Sequence, residues 1–269
     1  MSALFRFEPG NSAVLLSVPH VGTGVPDALA ARLTPAAAVL PDTDWHVDRL
    51  YDGAAALGIG LLSATHSRYV IDLNRDPANR PLYPGQETSG LCPQFTFDGE
   101  AIYRAEAPFA EAEVAERLDR YWRPYHAKLA AELAALKARH GFALLIDAHS
   151  IRSQLPRLFK GRLPDFNFGT VRATSAANAL AVKLFQPLEA AMGMSAVRDG
   201  RFIGGYITRH YGAPAEGIHA VQLEIAQIAY MEEKPPFRYR PDCAAKVKPV
   251  LRQMLEAAVA WAPQAAQAS

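Results

Sequence analysis

The chain is poor in cysteine, with only Cys92 and Cys243 in 269 residues. Two thiols so far apart build neither a disulfide framework nor a zinc ribbon, and they read as free thiols in a reducing compartment. Charge of one sign is lacking too: 28 Lys and Arg stand against 27 Asp and Glu, a net of +1. With no dense basic run, that balance argues against a general nucleic-acid or membrane-surface binder. No stretch approaches the ~20 apolar residues of a membrane span, and Met1 to Gly10 has no apolar core of signal-peptide type. The expectation is a soluble, cytoplasmic protein. Glycine-rich phosphate loops of the Gly-x-Gly-x-x-Gly or Walker type are missing, as is a Gly-x-Ser-x-Gly elbow. Nucleotide binding through those loops and α/β-hydrolase serine chemistry are therefore excluded.

What the chain has is apolar material, 50% of its residues, in short runs between helix-forming stretches. Ala13 to Val18, Gly60 to Ala64, Tyr69 to Leu73, Phe142 to Asp147 and Ala220 to Ile225 read as buried strands, too short for helices. The spacing of Val47, Leu50, Tyr51 and Ala54 predicts a helix over Asp44 to Leu57. Further helices are expected over Ala110 to Arg139, kinked or split at Pro124, over Ala173 to Met192 and over Cys243 to Ala262. Pro77 to Gly99 and Gly200 to Gly212 read as loops. Strands that are apolar throughout and alternate with helices indicate an α/β fold: a mixed, mostly parallel twisted sheet with helices on both faces. With no composition break or repeat, residues 1–269 are expected to form one domain.

Several of these strands end in polar residues of catalytic type: Val18-Pro-His20, Ile71-Asp-Leu-Asn74-Arg75, Ile146-Asp147-Ala-His149 and Leu223-Glu224. Ligands in open α/β sheets bind beyond the carboxyl ends of the strands, so these ends predict one convergent site. His20 and His149 are the metal-ligand candidates; two imidazoles and a carboxylate leave a catalytic zinc one open position. Asp42, Asp44 and Asp48 are all available as the acidic ligand. Asp48 is preferred over Asp44 for its place on the helical face beside Val47 and Tyr51, although for any one of these aspartates a solvated cap or surface charge is the commoner role. Asp147 is a candidate to orient a ligand histidine, and His46 reads as a packing or surface residue. Glu224 interrupts an apolar strand, where a carboxylate is costly unless paired or used, which makes it the candidate general base. Arg68 and Arg75, with Arg201 and Arg209 around Gly204-Gly205, imply a small anionic substrate held by guanidinium forks.

Ser17-Val-Pro-His-Val-Gly22, Asp42-Thr-Asp-Trp-His-Val-Asp48, Ser67-Arg-Tyr-Val-Ile-Asp-Leu-Asn-Arg75, Leu82-Tyr-Pro-Gly85, Asp147-Ala-His-Ser150 and Gly204-Gly-Tyr-Ile-Thr-Arg-His-Tyr-Gly212 resemble N-formylglutamate amidohydrolases. The resemblance runs from about Leu15 to Tyr230. It implies hydrolysis of N-formyl-L-glutamate to formate and L-glutamate, the last step of one histidine-degradation route. That family is distantly similar to zinc carboxypeptidases and to the aspartoacylase and succinylglutamate desuccinylase group. By that likeness His20 and His149 would be zinc ligands, Glu224 the base and Asn74-Arg75 a carboxylate clamp. Thr23 stands where the carboxypeptidase pattern has its acidic ligand, so Asp48 is assigned by position and not by motif. Arg68 or Arg75 would then hold the α-carboxylate of an N-acyl amino acid, and Arg209 its side-chain carboxylate. A hydrolase of another N-acyl amino acid, a peptidase, or a non-catalytic anion-binding protein are the alternative readings.

Overall fold

The computed structural model describes residues 3–82, 88–104 and 109–262. Seven strands form one sheet in the order β1-β3-β2-β4-β7-β5-β6. They are β1 (Phe5–Glu8), β2 (Val14–Val18), β3 (Gly60–Ala64), β4 (Ala143–Ile151), β5 (Phe166–Gly169), β6 (Ala196–Arg198) and β7 (Ile218–Ala226). The central β3, β2, β4 and β7 are mutually parallel. Antiparallel pairing joins β1 to β3 at one side and β5 to β7 at the other. The expected mixed, mostly parallel sheet is therefore the observed one, with both faces covered. On one face Leu16, Ile146 and Leu223 pack with Leu184 of α6 (Asn178–Glu189) and Leu251 of α8 (Pro241–Val259). On the other, Leu15 and Leu145 pack with Tyr125, Leu129 and Leu133 of α5 (Arg123–His140). Successive strand side chains point to opposite faces, so strands buried on both are largely apolar, as β2, β4 and β7 are apart from the polar residues gathered toward their carboxyl ends.

The run Tyr69 to Leu73 is not a strand. It is buried, but its carbonyls are met by side chains: Tyr69 O accepts from the Tyr103 hydroxyl, Val70 O from Arg117 and Leu73 O from His126. Apolar composition reported its burial, and side-chain donors took the place of a neighbouring strand. Strands β1, β5 and β6 carry too few residues to stand out in the sequence.

The helix expected over Asp44 to Leu57 shrinks to one turn, α3 (Val47–Leu50), after two other single turns, α1 (Asp27–Ala30) and α2 (Pro35–Ala38). His46 enters α3 at φ 64°, a left-handed conformation that ends any helix arriving from Asp44. Asp44 instead donates its N–H to the carbonyl of His20 at 3.0 Å. The long helix around Pro124 is not broken: α4 (Glu111–Arg117) runs through a π-helical turn (Leu118–Trp122) directly into α5, and this irregular turn just before Pro124 accommodates its missing N–H. The helix expected from Ala173 begins only at α6, after left-handed residues at Val171, Arg172 and Ala173. The expected loop Gly200 to Gly212 contains α7 (Tyr206–Tyr211), which buries Ile207 and Thr208. Most of the Leu82 to Gly85 motif, residues 83–87 of the Pro77 to Gly99 loop, lies outside the described residues. No helix among the described residues is long and apolar enough to cross a membrane.

His126 of α5 fastens α7 to the Asn74 segment. Its Nε2–H donates to Leu73 O at 2.8 Å, so Nδ1 accepts from the Tyr211 hydroxyl at 3.0 Å. Trp122 and Tyr211 stack on its ring, and Tyr206 meets it edge-on. Burial, with a smaller contribution from His210, pushes its pKa down to about 3. The unfolded chain takes up this proton near pH 6.5 and the folded chain does not, so stability is complete above 6.5 and is lost as pH falls toward 3. Between pH 7 and 4.5 the loss from His126 should be about 2–3 kcal/mol. Denaturant midpoints at both pH values, for wild type and His126→Gln, check this. Equal pH slopes in the two proteins would refute it.

Candidate active site

His20 follows β2, His149 lies in β4 and Glu224 in β7, all toward the carboxyl ends of parallel strands. His149 and Glu224 are paired directly across the β4–β7 ladder. The close backbone pairing of Asp44 with His20 brings a third group beside the two histidines. One ligand atom each from His20, Asp44 and His149 lies within 4.8 Å of the others, and all three side chains are buried. Asp48, the acidic ligand expected from the sequence, is not in this cluster; it sits in the first turn of α3, where its carboxylate accepts from the Arg49 N–H. The left-handed turn at His46 separates the two aspartates, and Asp44 stands on the site side of it.

Each histidine is held from behind by a carboxylate. His20 Nε2 donates to Asp72 Oδ1 at 2.8 Å, and His149 Nε2 donates to Asp147 Oδ2 at 2.8 Å. An ionised carboxylate only accepts, so when the rings are neutral the His149 Nδ1 lone pair faces Asp44, while that of His20, 3.7 Å from Asp44, meets the Arg68 Nη2 donor. His149 Nδ1 and Asp44 Oδ2, both acceptors, then face each other at 3.1 Å, and that geometry calls for a cation between them. A proton meets the need: Asp147 and Asp44 together overcome burial and hold the His149 pKa well above its usual value. A divalent metal meets it equally, and two carboxylate-backed imidazoles with one carboxylate suit zinc. The donor set therefore fits a metal ion.

Arg68 is buried in the same cluster. Its Nη2 donates to Asp44 Oδ1 at 2.8 Å and touches His20 Nδ1, and its Nη1 lies 3.9 Å from Asp72. Burial alone would raise the Asp44 carboxyl, but Arg68 and the two histidines hold it well below the usual range. Glu224 is the opposite case. Burial pushes its pKa up to about 8 against the pull of His149, which leaves a carboxyl able to exchange protons near neutral pH.

His20, Arg68, His149 and Glu224 line a cleft of about 620 Å³, a volume that includes its open mouth. Arg75 and Arg201 line it with Phe97, Ile151, Leu158 and Phe202. Arg75 donates to the Ser89 carbonyl and hydroxyl, and Arg201 to the Leu158 carbonyl. Arg209, expected to bind substrate, does not line this cleft. It is exposed on α7 beside Arg80, Tyr206 and His210, with its Nε on the Gly204 carbonyl. The α7 turn carries it outward, whereas Arg201 precedes that turn. Asn74 does line the cleft, but its amide is engaged by the protein: Nδ2 lies 3.0 Å from His149 Nε2 and 3.3 Å from Asp147 Oδ2, and Oδ1 accepts from the Ile207 N–H at 2.8 Å. The sequence reading passed over Asp72, which the cost of a carboxylate inside the apolar run Val70 to Leu73 could have flagged, as it flagged Glu224.

The family described as N-formylglutamate amidohydrolase matches residues 12–231 of the chain. An N-formylglutamate deformylase of Pseudomonas aeruginosa is 51% identical over 262 residues, covering 97% of this chain and 98% of that protein. Another N-formylglutamate deformylase, from Pseudomonas putida, is 48% identical over 261 residues, 97% of each. The crystal structure of an N-formylglutamate amidohydrolase from Ralstonia eutropha JMP134 superposes with a TM-score of 0.78 at 28% identity, covering 96% of each chain.

Proposed function

The chain belongs to the N-formylglutamate amidohydrolase family, and from that premise we propose that it hydrolyses N-formyl-L-glutamate to formate and L-glutamate with a divalent metal ion, zinc by preference. The observation that carries this reading is the buried His20, Asp44, His149 cluster beside Glu224 at the floor of an arginine-bearing cleft. Such a metal, held by those three residues, would supply Lewis acidity that polarises the formyl carbonyl and makes a water acidic enough to attack it near neutral pH.

The chain's own residues do the rest. Glu224 accepts the proton of the attacking water and delivers it to the glutamate nitrogen as the C–N bond breaks. Asp72 and Asp147 keep the His20 and His149 rings in one orientation and tautomer. Arg75 and Arg201 receive the two carboxylates of the substrate, and the apolar wall of Phe97, Ile151, Leu158 and Phe202 limits water around the reacting amide. A role in the last step of histidine breakdown, in the cytoplasm, is the setting this reading implies.

Formate release from N-formyl, N-acetyl and N-succinyl-L-glutamate, measured alongside metal content, tests the reading; turnover confined to an acyl group other than formyl would overturn the substrate. Arg201→Ala should raise KM about tenfold or more, since a charge-assisted hydrogen bond is worth about 1.5–3 kcal/mol. Arg209→Ala should change KM by less than about twofold, as expected for a side chain off the cleft. The reverse order of effects would return the carboxylate to Arg209.

A further inference from the structure

Gln222 is 3% exposed and precedes Glu224 by two residues on β7, so both side chains leave the same face of the strand. Its amide can face only one way. The Gly205 N–H donates to Gln222 Oε1 at 2.7 Å, and a backbone N–H meets an oxygen, never an NH2 group. Nε2 is thereby turned to Glu224 Oε2, 3.4 Å away. Gly205 is itself held in place. A Cβ there would come within 2.2 Å of Asn74 Nδ2, and the same Asn74 accepts from the Ile207 N–H. Gln222 and Asn74 thus clamp the turn into α7 from two sides, directly after the cleft residues Arg201 and Phe202.

We propose that Gln222 is a positioning residue of the reaction, aiming the Glu224 carboxylate and tying it to the Gly205 turn. This rests on Glu224 as the base. With its oxygen committed to Gly205, Gln222 offers Glu224 a donor and no acceptor. It therefore orients the ionised carboxylate.

The test is a double-mutant cycle of Gln222→Met and Glu224→Gln, with kcat, KM and thermal midpoints measured on the metal-loaded enzyme. Gln222→Met should lower kcat about 10- to 100-fold, the usual consequence of a misaligned reacting group, with a smaller change in KM. In the Glu224→Gln background the same substitution should lower kcat by less than about twofold, because there is no base left to aim. Gln222→Glu, which keeps an oxygen for Gly205 but loses the donor to Glu224, should repeat the kcat loss and covers the case in which the Met variant does not fold. Equal losses in both backgrounds, or unchanged kcat in a folded Gln222 variant while Glu224→Gln is impaired, would overturn the positioning role alone. Undiminished turnover in Glu224→Gln would overturn the base and this role together.

Discussion

Replacing Glu224 by glutamine should lower kcat by about 10²–10⁴-fold, the range for removing a general acid–base group, while KM and metal content stay near their wild-type values. Glutamine keeps the shape and an acceptor oxygen but takes no proton at neutral pH. KM should hold if, as proposed, Arg75 and Arg201 of the cleft wall take the carboxylates away from the reacting bond, and metal content should hold because Glu224 is outside the His20, Asp44, His149 cluster. The same substitution should stabilise the chelator-treated protein at pH 8. Between its ordinary value of 4.5 and about 8 the folded chain keeps a proton that the unfolded chain has released, so the carboxyl weakens folding as pH rises through that window. Thermal midpoints of the two chelator-treated proteins at pH 8 read this directly. Lower stability in the Gln variant, together with normal turnover, would make Glu224 a structural residue.

Asp44→Asn should abolish stoichiometric metal binding, and Asp48→Asn should leave it intact. Loss of an outer partner of a metal ligand costs about 10–100-fold in affinity, and loss of the ligand itself should cost more. Asp44 also accepts from Arg68 and from the Ser150 N–H, so truncation to Ala would leave the buried guanidinium short of a counter-charge, at about 3–5 kcal/mol. Asparagine keeps the acceptor oxygen toward Arg68 and is the cleaner probe. Asp48 bonds only its neighbour's N–H among the described contacts, so its loss should move stability by less than about 0.5 kcal/mol. Elemental analysis of the three proteins after dialysis decides the matter. Metal retained in Asp44→Asn, or lost in Asp48→Asn, would return the assignment to Asp48.

Where the structure arranges these residues otherwise than the sequence suggests, the reason is local. Nothing in Asp42 to Asp48 shows that His46 adopts a left-handed conformation, and that one residue decides which aspartate meets the histidines. Arg201 and Arg209 flank the same glycines, yet α7 begins between them and sends only Arg201 to the cleft. Asn74 stands in an Asn-Arg pair of the right composition, and the backbone of Ile207 and the carboxylate of Asp147 take up its amide.

The sequence by itself determined the covered sheet, through runs that are largely apolar, and the strand ends that bear His20, His149 and Glu224. The near-neutral balance of charge is likewise read directly from the composition. These features follow from burial, and the cost of burying a polar group can be read residue by residue. The acidic partner of the histidines, the arginines that reach the cleft, and the link from Gln222 to Glu224 were decided only by the tertiary structure. Each depends on the direction of a side chain after a turn, and direction is set by backbone conformations and distant hydrogen bonds that leave no periodic trace in the sequence.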